Sequence, residues 1–132
     1  MVLTDPIADL LNRIRNALLA RHASTSIPFS TIKLEIIKII KSGGYIKGYK
    51  VFDREGKKDI RVYLKYDAQS NGIIKGLRRI SSPGRRVYVS KDKVPRVLGG
   101  LGMAVLSTTK GIMADGTCRQ ENVGGEVLCY IW

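Results

Sequence analysis

The hydrophobic period of this chain changes at Gly43-Gly44, and that change limits its fold more than any other feature. Before the two glycines, apolar residues recur at helical spacing; after them, they alternate. Such a chain must combine helices with sheets that bury one face, which points to an α+β fold. In the first 20 residues, Ile7, Leu10, Leu11, Ile14, Ala17 and Leu18 follow the i, i+3, i+4, i+7 rule. Asp5 at the N-cap with Pro6 at the first helical position is a start signal. Ser26-Ile27-Pro28-Phe29 reads as a short edge strand or connector, because proline cannot donate to a ladder. A second helix begins near Ser30 or Thr31. It buries Ile32, Ile36, Ile39 and Ile40, exposes Lys33, Lys38 and Lys41, and stops at Gly43-Gly44.

Beyond the glycines, Tyr45 to Phe52 and Ile60 to Tyr66 read as two strands of a hairpin turning at Asp53-Arg54-Glu55-Gly56. Ile60, Val62, Leu64 and Tyr66 face one way, whereas Arg61, Tyr63 and Lys65 face the other. The two helices are expected to cover the apolar face. Residues 1–66 thus form an α-β-α-β-β subdomain, residues 67–72 a polar linker, and residues 73–132 a β-rich subdomain with a short helix. Strands are expected at Ile73–Ile80, Arg86–Val89, Met103–Thr109 and Glu126–Ile131, with a turn at Ser81-Ser82-Pro83-Gly84 and about one helical turn at Val94–Leu98.

Charge narrows the function. The chain carries 23 Lys+Arg against 11 Asp+Glu, a net of +12, while 44% of its residues are hydrophobic. That composition describes a folded chain rather than a polycationic tail, and a polyanion is its expected partner. From Lys75 to Lys110 there are nine bases (Lys75, Arg78, Arg79, Arg85, Arg86, Lys91, Lys93, Arg96 and Lys110) and one acid, Asp92. Solubility alone favours mixed signs, so this block reads as a binding surface. No apolar run approaches the roughly 18 residues of a membrane span. The stretch Met1 to Pro6 has no basic region followed by an apolar one, so no leader is expected.

Enzyme chemistry fails on inventory. His22 is the only histidine and sits beside Arg21 just past the first helix, the setting of a solvated side chain. Cys118 and Cys129 lack zinc-ligand spacing; both are expected to be reduced, with Cys129 in the core. The acids are scattered, the glycine pairs match no phosphate-binding loop, and no cofactor or metal is expected. The segment Val105-Leu106-Ser107-Thr108-Thr109-Lys110-Gly111 differs: a strand ends in three hydroxyls, a lysine and a glycine. Hydroxyls both donate and accept, so they can meet base edges, ribose hydroxyls and phosphates. Arg85, Arg86 and Tyr88 add two guanidinium groups and an aromatic ring that can stack. A simple strand-end turn and a half-buried tyrosine would account for the same residues.

At this point the motifs match a pattern. They run in order: Asp5-Pro6-Ile7-Ala8-Asp9 with Arg13-Ile14-Arg15-Asn16, then Ser82-Pro83-Gly84-Arg85-Arg86-Val87-Tyr88. Gly100-Leu101-Gly102 leads on to Ser107-Thr108-Thr109-Lys110-Gly111-Ile112-Met113, and Gly124-Gly125-Glu126-Val127-Leu128-Cys129-Tyr130-Ile131-Trp132 closes the series. Over essentially the whole chain this resembles the bacterial-type small-subunit ribosomal protein eight family. The resemblance implies a non-enzymatic, cytoplasmic constituent of the small subunit that binds the central domain of its ribosomal RNA early in assembly. It places Ser107, Thr108, Thr109 and Lys110 on an RNA-contact loop, with Tyr88, Gly124, Gly125 and Glu126 on neighbouring contact positions. Thr4, Asp5, Arg13, Arg15 and Asn16 fall on a surface that meets a second RNA helix.

The resemblance further implies neighbouring ribosomal proteins as partners, a monomer outside the particle and, in some bacteria, repression of the protein's own operon mRNA. Thr109 stands where the family has a serine, which keeps the hydroxyl. Where the family has a short basic helix, Ala114-Asp115-Gly116-Thr117-Cys118-Arg119-Gln120-Glu121-Asn122 contains Gly116 and Thr117, which disfavour a helix, so whether residues 114–123 form it is left open by the sequence. A nonspecific basic nucleic-acid-binding protein of architectural type remains the alternative.

Overall fold

A computed structural model describes residues 4–132; residues 1–3, the first half of the stretch read for a leader, lie outside the described residues. Helix α1, Pro6–Leu19, starts as its sequence dictates: the Asp5 carboxylate accepts from the Ala8 amide at 3.1 Å. It buries Ile7, Leu10, Leu11, Ile14 and Ala17. Strand β1, Ser24–Pro28, is an edge strand, and helix α2, Thr31–Ser42, follows, capped by the Ser30 side chain on the Lys33 amide. Strands β2 (Ile46–Arg54) and β3 (Lys57–Leu64) complete an antiparallel sheet in the order β1-β3-β2.

The buried face of α2 differs from the sequence expectation. Ile36, Ile37 and Ile40 are buried, while Ile32 is exposed. Lys33 is buried rather than solvated, because its Nζ reaches back to the Pro28 carbonyl at 3.2 Å. The aliphatic stem packs while the head finds an acceptor.

The second sheet contains β4 (Leu77–Arg79), β5 (Tyr88–Val89), β6 (Met103–Thr108), β7 (Gly111–Ala114) and β8 (Gly125–Ile131). Its order is β4-β8-β6-β7, all antiparallel, with the short β5 pairing β8 near Glu126. Ile73–Ile80 pairs as a strand only over Leu77–Arg79; upstream, the Lys75 and Gly76 amides both donate to the Trp132 carbonyl. Strand β7 has no counterpart in the sequence reading. The helical turn expected at Val94–Leu98 is displaced to either side: Val94 and Arg96 are extended between 3-10 turns at Lys91–Lys93 and Val97–Gly100.

A helix does form where two poor helix formers argued against one. Helix α3, Asp115–Glu121, is held by contacts that propensity ignores. The buried Asp115 carboxylate accepts from the Ala104 amide at 3.1 Å and from Arg119 one turn on, and Cys118 is buried beneath the helix. Arg119 also donates to the Pro95 carbonyl at 3.3 Å. Tertiary anchoring overrides a modest local penalty.

Two apolar clusters result. The larger joins α1, α2 and the first sheet to Leu77, Met103, Val105, Leu128, Cys129 and Ile131 of the second. The smaller, on the opposite face of the second sheet, gathers Val97, Ala104, Leu106, Met113, Cys118 and Val127. Both cysteines are free thiols, one in each cluster, and burial pushes Cys129 up to about 12. No helix among the described residues is long and apolar enough to cross a membrane.

Candidate nucleic-acid interface

The hydroxyl segment forms the hairpin between β6 and β7. Thr108 pairs with Gly111, so Thr109 and Lys110 are the two turn residues, and Gly111 follows at a φ of 110°. The Thr108 hydroxyl donates to the Gly111 carbonyl at 2.8 Å and accepts from the Lys110 amide at 3.0 Å. Thr108 therefore holds the turn. Thr109 and Lys110 are exposed and Ser107 is half-buried. Lys110 Nζ lies 3.2 Å from the Glu121 carboxylate, a pair that is about half exposed at both ends.

Strand register brings the other C-terminal residues to this rim. Tyr88 pairs with Glu126, and Glu126 pairs with Ser107, so the three share one face across β5, β8 and β6. The Tyr88 side chain is 69% exposed. The Glu126 carboxylate is held by the Arg86 guanidinium at 3.0 Å. That hydrogen bond and the Glu126 charge raise the Arg86 pKa, with smaller contributions from Tyr88 and Asp5.

Gly125 permits the strands to close here: a Cβ on it would lie 2.2 Å from the Ser107 carbonyl oxygen, and one on Gly124 2.2 Å from that of Val89. Both glycines thus have a packing reason for their position, separate from any contact with a ligand. Arg85 is exposed at the end of a turn in which Ser82 and Arg85 exchange backbone hydrogen bonds at 2.8 and 3.0 Å. The buried Ser81 hydroxyl fixes the next residues through the Val87 amide at 2.8 Å and its carbonyl at 3.3 Å. Ser81 carries no local sequence signal, since its partners depend on the fold of the turn.

The α1 residues behave differently. Asp5 caps the helix and also binds Arg79, whose Nε lies 3.0 and 3.2 Å from its two oxygens, while Arg79 Nη1 donates to the Leu128 carbonyl at 2.7 Å. Arg13 pairs with Asp9 at 2.9 Å and reaches toward β1, whereas Arg15 donates to Asn12 and to the Leu77 carbonyl on β4. Arg13 and Arg15 therefore lie on opposite flanks, with Thr4 and Asn16 exposed. Of the nine bases between Lys75 and Lys110, all except Arg79 are exposed. His22 is exposed, and its carbonyl accepts from the Tyr66 hydroxyl at 2.6 Å. Among the described residues, no group of three His, Cys, Asp or Glu side chains is placed to hold a metal ion.

This arrangement defines a basic α+β protein that presents a fixed polar rim and exposed cations. Comparison with known proteins gives its family. The family model described as ribosomal protein S8 matches residues 5–132. The chain is 55% identical over 132 residues, the full length of both chains, to the small ribosomal subunit protein uS8 of Halothermothrix orenii. It is 56% identical over 131 residues to that of Desulforudis audaxviator, covering 99% of this chain and 100% of the relative. The corresponding protein of Caldicellulosiruptor bescii is 54% identical over 132 residues, again the whole of both chains. The chain belongs to the ribosomal protein S8 family, whose members are structural components of the ribosome and not enzymes.

Proposed function

We propose that this protein is a constituent of the small ribosomal subunit, in the cytoplasm, that binds the central domain of the small-subunit ribosomal RNA directly and helps it assemble. The observation that carries the reading is the rim at which Tyr88, Glu126 and Ser107 align beside the Thr109-Lys110 turn. The exposed cations supply affinity by releasing counterions from RNA. The rim supplies selectivity: Ser107 and Thr109 offer hydroxyls to base edges and ribose hydroxyls, Tyr88 offers a ring, and Lys110 reaches a phosphate. Neighbouring small-subunit proteins are its further partners, and it is a monomer before incorporation. By the same rim it would recognise a similar fold in its own operon mRNA.

Filter binding with a central-domain RNA fragment at about 150 mM salt tests this reading. Lys110→Ala and Thr109→Val should each cost about 1–3 kcal/mol, on the scale of base-edge contacts. Unchanged affinity in both variants would remove the rim as the site. Equal wild-type affinity for random duplex DNA would favour the nonspecific architectural reading instead.

A further inference from the structure

The outward face of the first sheet has no layer packed over it among the described residues. Its cross-strand rows are Ser24–Tyr63–Gly48, Ser26–Arg61–Lys50 and Pro28–Asp59–Phe52. Val62 and Leu64 are buried, so Tyr63 and Arg61 point outward with their row partners. Tyr63 is flanked by a serine and a glycine. A Cβ at Gly48 would meet nothing within 4 Å, so the Tyr63 ring does not lean across the glycine. Cross-strand aromatics often cover a strand glycine in this way; here a notch stays open beside the ring.

Cations surround the notch. Lys47, Lys50, Arg61 and Lys65 are exposed, and among the described residues none of them forms an ion pair. Arg61 stacks on Phe52 with its Cζ 4.9 Å from the ring centroid, and Lys65 Nζ donates to the Gly44 carbonyl at 3.4 Å. The one acid in these rows, Asp59, is 8% exposed and engaged by Arg54 at 3.4 Å. The face is therefore positive, partly aromatic and indented.

We propose that this face is a second RNA contact, where an unpaired base stacks on Tyr63 in the notch over Gly48 and its flanking phosphates meet Lys47, Lys50 and Arg61. Base–aromatic stacking beside a cationic track is the general chemistry of single-strand binding. An acidic peptide would satisfy the cations but gain nothing from a planar notch. The proposal rests on the ribosomal reading only for the class of ligand, and it uses none of the rim residues.

The test is fluorescence anisotropy of the full chain with a single-stranded oligoadenylate of about ten nucleotides. Gly48→Val fills the notch and Tyr63→Leu removes the ring; each should weaken binding about tenfold, whereas Tyr63→Phe should retain it. Gly48→Val has open space to occupy, so it keeps the experiment decisive should Tyr63→Leu fail to fold. Wild-type affinity in folded Gly48→Val would overturn the proposal, as would equally tight binding of a polyglutamate peptide of the same charge. Binding that falls in Tyr88→Ala but not in Gly48→Val would put the strand at the rim and also overturn it. Loss of preference for the central-domain RNA with oligoadenylate binding intact would count against the ribosomal reading alone.

Discussion

The two sheets expose themselves to solvent in opposite ways. The first is covered on one face by α1 and α2, and among the described residues no layer packs over its other face. The second is covered on both faces, by the larger cluster on one side and by α3 with the smaller cluster on the other. What it leaves open is a rim at Tyr88, Glu126, Ser107 and the Thr109-Lys110 turn. On the open face, the positions are set by strand pairing, with few side-chain braces beyond Arg61 on Phe52, Lys65 on the Gly44 carbonyl and the Arg54–Asp59 pair. On the rim, they are set by the Thr108 hydroxyl, the Arg86–Glu126 pair and two close-packed glycines. An exposed face offers area and charge, while a braced rim offers fixed geometry, and specificity requires the second.

The sharpest way to break this comparison is to add the same side chain to a glycine in each sheet. Gly125→Val should destabilise the protein by about 3 kcal/mol or prevent folding, since the added carbon would sit 2.2 Å from the Ser107 carbonyl oxygen. Gly48→Val should change stability by less than about 1 kcal/mol, because the space above it is open. Urea denaturation of both variants decides, and similar losses would erase the distinction. Next in size, Asp115→Ala should cost about 2–4 kcal/mol by leaving the Ala104 amide and Arg119 without their shared acceptor. Loss of near-native helicity over α3 by hydrogen exchange would locate the effect.

A smaller pair of effects compares two arginines. Arg79→Ala should cost about 1–3 kcal/mol, because it removes the ion-pair partner of the mostly buried Asp5 carboxylate and one of the two donors to the Leu128 carbonyl. Arg13→Ala removes an ion pair that is 44% and 47% exposed at its two ends, and should cost no more than about 0.5 kcal/mol. Thermal melts at low salt and about 0.5 M salt separate them, since only the exposed pair should lose its contribution to screening.

Features whose partners are close in sequence were legible. Asp5-Pro6 announced α1, the alternation from Ile60 announced β3, and the hydroxyl turn stood out as residues 107–110. Features whose partners are distant were not. Asp5 meets Arg79 across 74 residues, and nothing local in either marks the pair. Lys33 departs from this rule: its acceptor, the Pro28 carbonyl, lies only five residues away, but a backbone acceptor leaves no mark in the sequence. Helix α3 looked unfavourable because the Asp115 contact with Ala104 lies outside any helical window. Strand β7 has only four residues, too few to show alternation, and exists because β6 provides its ladder. Of the site, the residue types were readable, but the division between those that brace and those that remain available was not. Thr108 looked equivalent to Thr109 until its hydroxyl was seen closing the turn.

The larger apolar cluster runs without a break from Ile7 in α1 to Ile131 in β8. A shared core of that kind prevents the two sheets from hinging, so the rim and the open face of the first sheet keep a constant separation. For a long, flexible ligand that touches one of them, the other is then presented at a high effective concentration, and its engagement becomes an intramolecular step. The molecule would behave as a rigid spacer, favouring only those ligand conformations whose two segments match its span.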